Sequence, residues 1–189
     1  MYETKTFTKE KEALALMVNK AENADQLDRV NFTELYRQNA TNVFYYLYSR
    51  VRNVADAEDL TSQTFVTALE NLSGLRDPLK FTPWVFTIAR NKAFNFFRKA
   101  QRRPTVDFDE ELDQTKAVEV TLSQTDQDRL CDLKRLIFRL SPIEQEYLRL
   151  RIVADLPFAE IASILNEPET HIKKKYYRLL ERLQAQVEK

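Results

Sequence analysis

Asp56, Glu58 and Asp59 fall within four positions of one another. Carboxylates this close can hold a divalent cation or share acid–base work. Such chemistry needs companions that the chain hardly supplies. Among 189 residues there is one His (His171), one Cys (Cys131) and one Gly (Gly74). A single His excludes His-pair metal sites. A single Cys excludes an internal disulfide and a CxxC site. A single Gly excludes G-x-G-x-x-G and Walker loops, and it argues against β-sandwiches and barrels, whose tight turns need positive φ. In Asp56-Ala-Glu-Asp-Leu60 the acids also crowd the start of a helical pattern, where the helix dipole alone favours them. The functional reading of that cluster is a charged surface that docks a protein.

Basic and aromatic residues are better furnished. From 86 to 103 there are six cations and no acid. They interleave with Phe86, Phe94, Phe96 and Phe97, just after Trp84. One helix cannot bury all these rings on one face. Exposed rings beside cations suit single-stranded nucleic acid, because charge follows the backbone while π-faces stack on bases. The plainer reading buries Trp84, Ile88 and Phe94 and leaves the cations solvated. Trp84 is expected in the core; Arg90, Asn91, Asn95 and Arg98 are expected to meet nucleic acid.

A second basic concentration lies near the C-terminus. Lys173, Lys174, Lys175, Arg178 and Arg182 lie opposite an apolar face of Ile172, Tyr176, Leu179 and Leu183. A short apolar-striped helix (158–165) and a break at Asn166-Glu-Pro168 precede them. A short helix, a tight turn and a longer basic helix make a helix-turn-helix pattern. In that arrangement the start of the second helix reaches base edges, and the cations neutralise phosphates and release counterions. The bland alternative is an amphipathic hairpin with a solvated basic face. His171 is then either a solvated or satisfied histidine or a contact to base or phosphate.

The elements that position these residues read as helices throughout. Phe32, Leu35, Tyr36, Val43, Leu47 and Val51 recur at helical spacing, as do Ala57, Leu60, Thr64, Phe65, Ala68 and Leu72. Asp56 is expected to cap the second helix. Residues 72–81 read as a loop, and Thr82-Pro83 as the cap and first residue of the helix carrying Trp84. Ser141-Pro142-x-Glu144 is a capping signature. Further helices are expected over 126–140, 141–153, 157–165 and 168–187, with a short one near 7–21. The formal net charge is zero, yet it is unevenly spread. Residues 1–29 sum to −1, 30–103 to +5, 104–132 to −7 and 133–189 to +3. An acidic, Pro-initiated stretch between two basic blocks reads as a linker. The expected organisation is an N-terminal extension (1–29), a helical domain (30–103), an acidic linker (104–124) and a second helical domain (125–189). The linker's negative charge is expected to draw the two basic domains together in the free protein.

In this order, these stretches resemble the bacterial RNA polymerase sigma factors of the extracytoplasmic-function group. The likeness rests on Phe32-Thr-Glu-Leu-Tyr36, Val43-Phe-Tyr-Tyr-Leu-Tyr48, Asp56-Ala-Glu-Asp-Leu-Thr-Ser-Gln-Thr-Phe65, Trp84-Val-Phe-Thr-Ile-Ala-Arg-Asn91 and Leu140-Ser-Pro-Ile-Glu-Gln-Glu-Tyr-Leu148 with the helix-turn-helix. It implies an all-α protein of two small helical domains on a flexible linker. The first, region 2, would dock on the clamp helices of the polymerase's largest subunit and capture the minus-ten element. The second, region 4, would bind the flap of the other large subunit and read the minus-thirty-five element. By position, Asp56, Glu58, Asp59, Leu60 and Gln63 would dock the polymerase. Gly74, Arg90, Asn91, Asn95 and Arg98 would face the minus-ten strand. Glu169, Thr170, His171, Lys173, Lys174, Lys175 and Arg178 would address the minus-thirty-five duplex. Many members are held inactive by an anti-sigma protein, a further partner. Ser62 and Gln63 depart from a usual Gln-Glu, Asn95 from an Asp, and Asn166 from a turn Gly. Lys174 and Tyr176 replace a small polar and an apolar residue, so promoter preference is not inherited.

No cofactor, metal or catalytic residue is expected. No run of 18 apolar residues exists, and the N-terminus is too charged for a signal peptide, so a cytoplasmic protein without membrane insertion is expected. Two rivals remain: a stand-alone helix-turn-helix regulator with a sensing or dimerising N-terminal domain, and a Mg²⁺-dependent enzyme built on Asp56, Glu58 and Asp59.

Overall fold

A computed structural model describes residues 26–75, 77–101, 133 and 135–187. The expected N-terminal helix near 7–21 and the acidic linker lie outside the described residues. Every element among the described residues is helical. Helix α1 spans Gln26–Val51 and α2 spans Val54–Glu70. Two 3₁₀ turns follow, Leu72–Gly74 and Pro78–Lys80, and then α3, Phe81–Gln101. The C-terminal unit has α4 (Pro142–Leu148), a π-helical turn (Arg149–Val153), α5 (Phe158–Leu165) and α6 (Glu169–Val187).

The first three helices pack on one another as a bundle. Phe32, Tyr36, Ala40, Val43 and Leu47 bury one stripe of α1, at the three- and four-residue steps that stack side chains on one helix face. Phe81, Val85, Ala89 and Ala93 do the same on α3, and the small Ala residues permit close approach. Aromatic rings cross between helices edge to face: Tyr36 meets Phe65 at 4.7 Å and Phe32 meets Phe81 at 6.1 Å between centroids. Each large side chain buried there contributes roughly 1.5–3 kcal/mol.

Several boundaries differ from the sequence expectation, for local reasons. Asn53, not Asp56, caps α2: its side-chain oxygen accepts the Asp56 N–H at 3.0 Å. Asp56 lies instead in the first turn, where its charge meets the dipole. The stretch before α3 is two 3₁₀ turns, the second capped by Asp77 through the Leu79 N–H. That lets α3 begin at Phe81, two residues before Pro83; Pro83 is tolerated there because the first-turn N–H groups have no intrahelical partner. Ser141 does begin α4, with its N–H and hydroxyl both donating to Glu144 Oε2 at 2.9 and 2.7 Å.

Among the described residues, three helical stretches end on non-Gly residues with positive φ: Arg52 (57°), Asp155 (50°) and Asn166 (54°). A left-handed residue is a common helix terminator because it lets orphan carbonyls find donors. At Asn166 the N–H groups of Asn166 and Glu167 both reach the Ala162 carbonyl. This closes the turn between α5 and α6 without the glycine usual at such a position. Gly74 has no positive φ, and a Cβ added to it would meet nothing within 4 Å.

The two units are not separate bodies. Helix α1 packs on the π turn, and α3 packs on α5. Buried residues of both units form one apolar cluster, from Phe32 through Phe86 to Leu150, Ile161 and Leu179.

Candidate nucleic-acid and protein interfaces

Helix α3 divides its polar residues between two faces. Asn91, Phe94, Asn95, Arg98 and Lys99 are all exposed. Their spacing places them along a single stripe, opposite the buried residues. Phe94 is 62% exposed, which overturns its placement in the core; Trp84 is half-buried against the core, ring to ring with Phe81 at 5.9 Å. A solvent-facing ring among Asn and Arg side chains can stack on an unpaired base while the cations follow the backbone.

Arg90 does not share that stripe. It turns toward the C-terminal unit, where its Nε lies 3.7 Å from Glu146 Oε1. Glu146 is 4% exposed. Its carboxylate accepts the Tyr46 hydroxyl at 2.6 Å and the Arg50 guanidinium at 3.0 and 3.2 Å, and Arg149 approaches to 3.8 Å. Arg50 also donates to the Tyr46 hydroxyl at 2.9 Å. Burial, reinforced by Glu146, pushes the Tyr46 phenol far above its usual range, so it remains a donor. Burial works against the Arg50 charge, yet Tyr46 and Glu146 together raise its pKa. Arg149 is lowered by burial, with Glu146 opposing. The sequence reading missed this node. Tyr46 and Glu146 lie 100 positions apart, and the single legible sign was an i,i+4 pairing of Tyr46 with Arg50.

On α2, Asp59 and Gln63 are exposed and Asp56 is partly so. The spacing of the three places them on one outer face. Burial and the neighbouring Asp59 raise the Glu58 carboxyl above its usual range. Leu60 is buried in the core cluster. It therefore seats the helix from beneath rather than facing a partner. Among the described residues no three His, Cys, Asp or Glu side chains gather as a metal site, so the acids of α2 form a surface stripe rather than a convergent donor set.

On α6, Ile172, Tyr176 and Leu179 are buried, and Thr170, His171, Lys173, Lys174 and Arg178 are exposed. Acids answer several of these cations. Lys173 pairs with Glu169 at 2.6 Å and lies 5.8 Å over the Phe158 ring. Lys175 pairs with Glu167 at 2.8 Å, and His171 Nδ1 is 3.2 Å from the same carboxylate. The hydrogen bond from Lys175 holds the Glu167 carboxyl below its usual range. Arg182 reaches back to Glu144 on α4 at 2.6 Å. Among the described residues, Lys174 and Arg178 are the members of the expected set whose charges are not engaged in an ion pair. Gly74 sits exposed in the 3₁₀ turn before α3.

The two units coincide with two known sequence families. Sigma-70 region 2 matches residues 35–103, and Sigma-70, region 4 matches residues 136–185. The chain belongs to the sigma-70 family of RNA polymerase sigma factors, in its extracytoplasmic-function group. An extracytoplasmic-function sigma factor from Streptomyces coelicolor, BldN, is 36% identical over 177 residues, covering 89% of this chain and 65% of that protein. The RNA polymerase sigma factor YlaC of Bacillus subtilis is 31% identical over 141 residues, covering 72% of this chain and 80% of that one. Among solved structures, the sigma factor RpoE of Bartonella quintana, in complex with the anti-sigma factor NepR, superposes with a TM-score of 0.62 at 23% identity, covering 82% of this chain and 94% of that one. CnrH, in complex with the cytosolic domain of CnrY, gives a TM-score of 0.60 at 18% identity over 92% of this chain and 96% of that one. The region 2 match over 35–103 does not favour reading that segment as a sensing or dimerising domain. Among the described residues no helix is long and apolar enough to cross a membrane.

Proposed function

We propose that the chain is a promoter-specificity subunit that works by binding, with no catalytic residues of its own, in the cytoplasm. Its α2 stripe of Asp56, Asp59 and Gln63, with Glu58 beside it, docks core RNA polymerase. The exposed stripe of α3 engages the minus-ten element once strands separate, with Asn91, Asn95 and Arg98 reading or holding the strand. Helix α6 addresses the minus-thirty-five duplex, with Thr170 and His171 at the base edges and Lys174 and Arg178 on phosphates. The observation that carries this reading is the α3 stripe. An exposed Phe94 flanked by Asn91, Asn95 and Arg98 offers a free π-face beside hydrogen-bonding and cationic groups, which suits unpaired bases. An anti-sigma protein is a natural further partner, as one is for the Bartonella quintana relative.

The test is transcription with purified core polymerase on a promoter library. Adding the chain should produce start-site-specific transcripts above those of core alone; an unchanged transcript pattern refutes the reading. Asp59→Arg should abolish co-purification with core while far-UV circular dichroism stays unchanged. Undiminished co-purification would remove the α2 stripe from the docking surface.

A further inference from the structure

We propose that Tyr46, Arg50 and Arg90 form a carboxylate-receiving socket on the region 2 unit, and that its occupant in the free chain is Glu146 of the region 4 unit. The socket is built from two helices. Tyr46 and Arg50 lie one turn apart on α1 and so share a face, and Arg90 comes from α3. Between them they offer a phenol donor at 2.6 Å, a guanidinium at 3.0 Å and a second guanidinium at 3.7 Å. Glu146 enters from α4 with almost no exposure. A buried carboxylate is tolerated only when its charge is paired and its lone pairs are met, and here nearly all the compensating groups belong to the other unit. Arg149, on the occupant's own side, is the one exception among the charged groups facing it.

Two consequences follow from the geometry. Separating the units returns Glu146, Arg50 and Arg90 to water, so the socket holds the units through the fit of its donors to the carboxylate. Removing that carboxylate while the units stay packed leaves buried cations uncompensated, which is strongly unfavourable, so an anion at position 146 latches the closed arrangement that the shared apolar core also supports. Closure also occupies Arg90 and lays α5 against α3. It leaves Asn91, Phe94, Asn95, Arg98 and Lys99 exposed, so the latch holds the units together without covering the α3 stripe.

The linker expectation and the latch make opposite predictions about salt. Attraction between a solvated acidic tether and basic domains is screened over about 8 Å at physiological ionic strength, whereas a buried pair is screened far less. The experiment is small-angle scattering on the free full-length chain at low and high salt, for wild type, Glu146→Gln and Tyr46→Phe. Circular dichroism checks that both variants keep their helices. Tyr46→Phe preserves the ring packed on Phe86 and removes the hydroxyl alone. Wild type should stay compact at both salts. Glu146→Gln should have a larger radius of gyration, and Tyr46→Phe should fall between. A Glu146→Gln chain as compact as wild type overturns the latch, and so does a wild type that expands in high salt.

Discussion

Glu144 shows how much one side chain can carry. It takes two hydrogen bonds from Ser141 and an ion pair from Arg182, joining the start of α4 to the far end of α6. The Ser141 hydrogen bond, with Arg182 assisting, holds its carboxyl below the usual value of 4.5. A depressed carboxylate adds stability that is complete above its unfolded pKa and is lost as pH falls through the folded one. Stability should therefore decline below about pH 4.5, with Glu167, held low by Lys175, contributing in the same window. Glu144→Gln keeps an acceptor for the Ser141 N–H but loses the charge that Arg182 answers, so it should cost about 0.5 kcal/mol at neutral pH, as a surface ion pair does, and should flatten the acid limb of a denaturation series. An unchanged limb would assign the acid sensitivity to other groups. The cations of α6 divide in the same residue-by-residue way. Lys174→Ala should lower the salt slope of duplex binding by about one unit. Lys173→Ala should lower it by less, because Glu169 already answers that charge. Equal slopes for the two variants would show that the Glu169 pair opens on DNA.

At the scale of elements, the scarcity of glycine has a visible consequence. Among the described residues three helix ends use left-handed backbone, and none uses Gly74. An Asn side chain accepts that conformation with little strain, whereas an ordinary side chain meets a clash worth roughly 1–2 kcal/mol. Arg52→Gly should thus stabilise the protein by about 0.5–1 kcal/mol after the entropic cost of glycine, while Asn166→Gly should be near neutral. Chemical denaturation of both variants checks this; equal effects would mean that Arg52 is not strained. The one Gly sits where no backbone requirement can be found, so a family-based role for it at the minus-ten strand rests on sequence likeness alone. The residue pattern predicts continuous helix over 141–153. The structure instead widens Arg149–Val153 into a π turn that packs against α1.

The described residues of the two units pack as one body. Because a single apolar cluster joins the two units, thermal unfolding of the free chain should show one calorimetric transition, with equal calorimetric and van't Hoff enthalpies. Two resolved transitions would show that the regions are thermodynamically separate in solution. Large apolar contact between domains is the condition under which independent domain motion is not the default.

Much of this was legible in the residues. Periodic apolar positions announced α1, α2, α3 and α6, because a helix must bury one stripe whatever its neighbours are. Ser141 and Glu144 announced the start of α4, and Asn166 announced the αL turn, because caps and turns are decided within a few residues of chain. The exposed row of Asn91, Asn95 and Arg98 followed from spacing once one face was known to be apolar. What sequence alone left undecided depends on which surfaces meet. Local spacing placed Leu60 on the apolar stripe where it is buried, against the docking role that the family resemblance implied, and it marked Arg90 as a cation but not as one that turns toward Glu146. Nothing in a one-dimensional pattern brings Tyr46 within 2.6 Å of a carboxylate 100 positions away. Local order is set by short-range sterics and hydrogen bonding, which a sequence displays. The pairing of a buried charge is set by the packing of distant helices, and only the tertiary structure decides it.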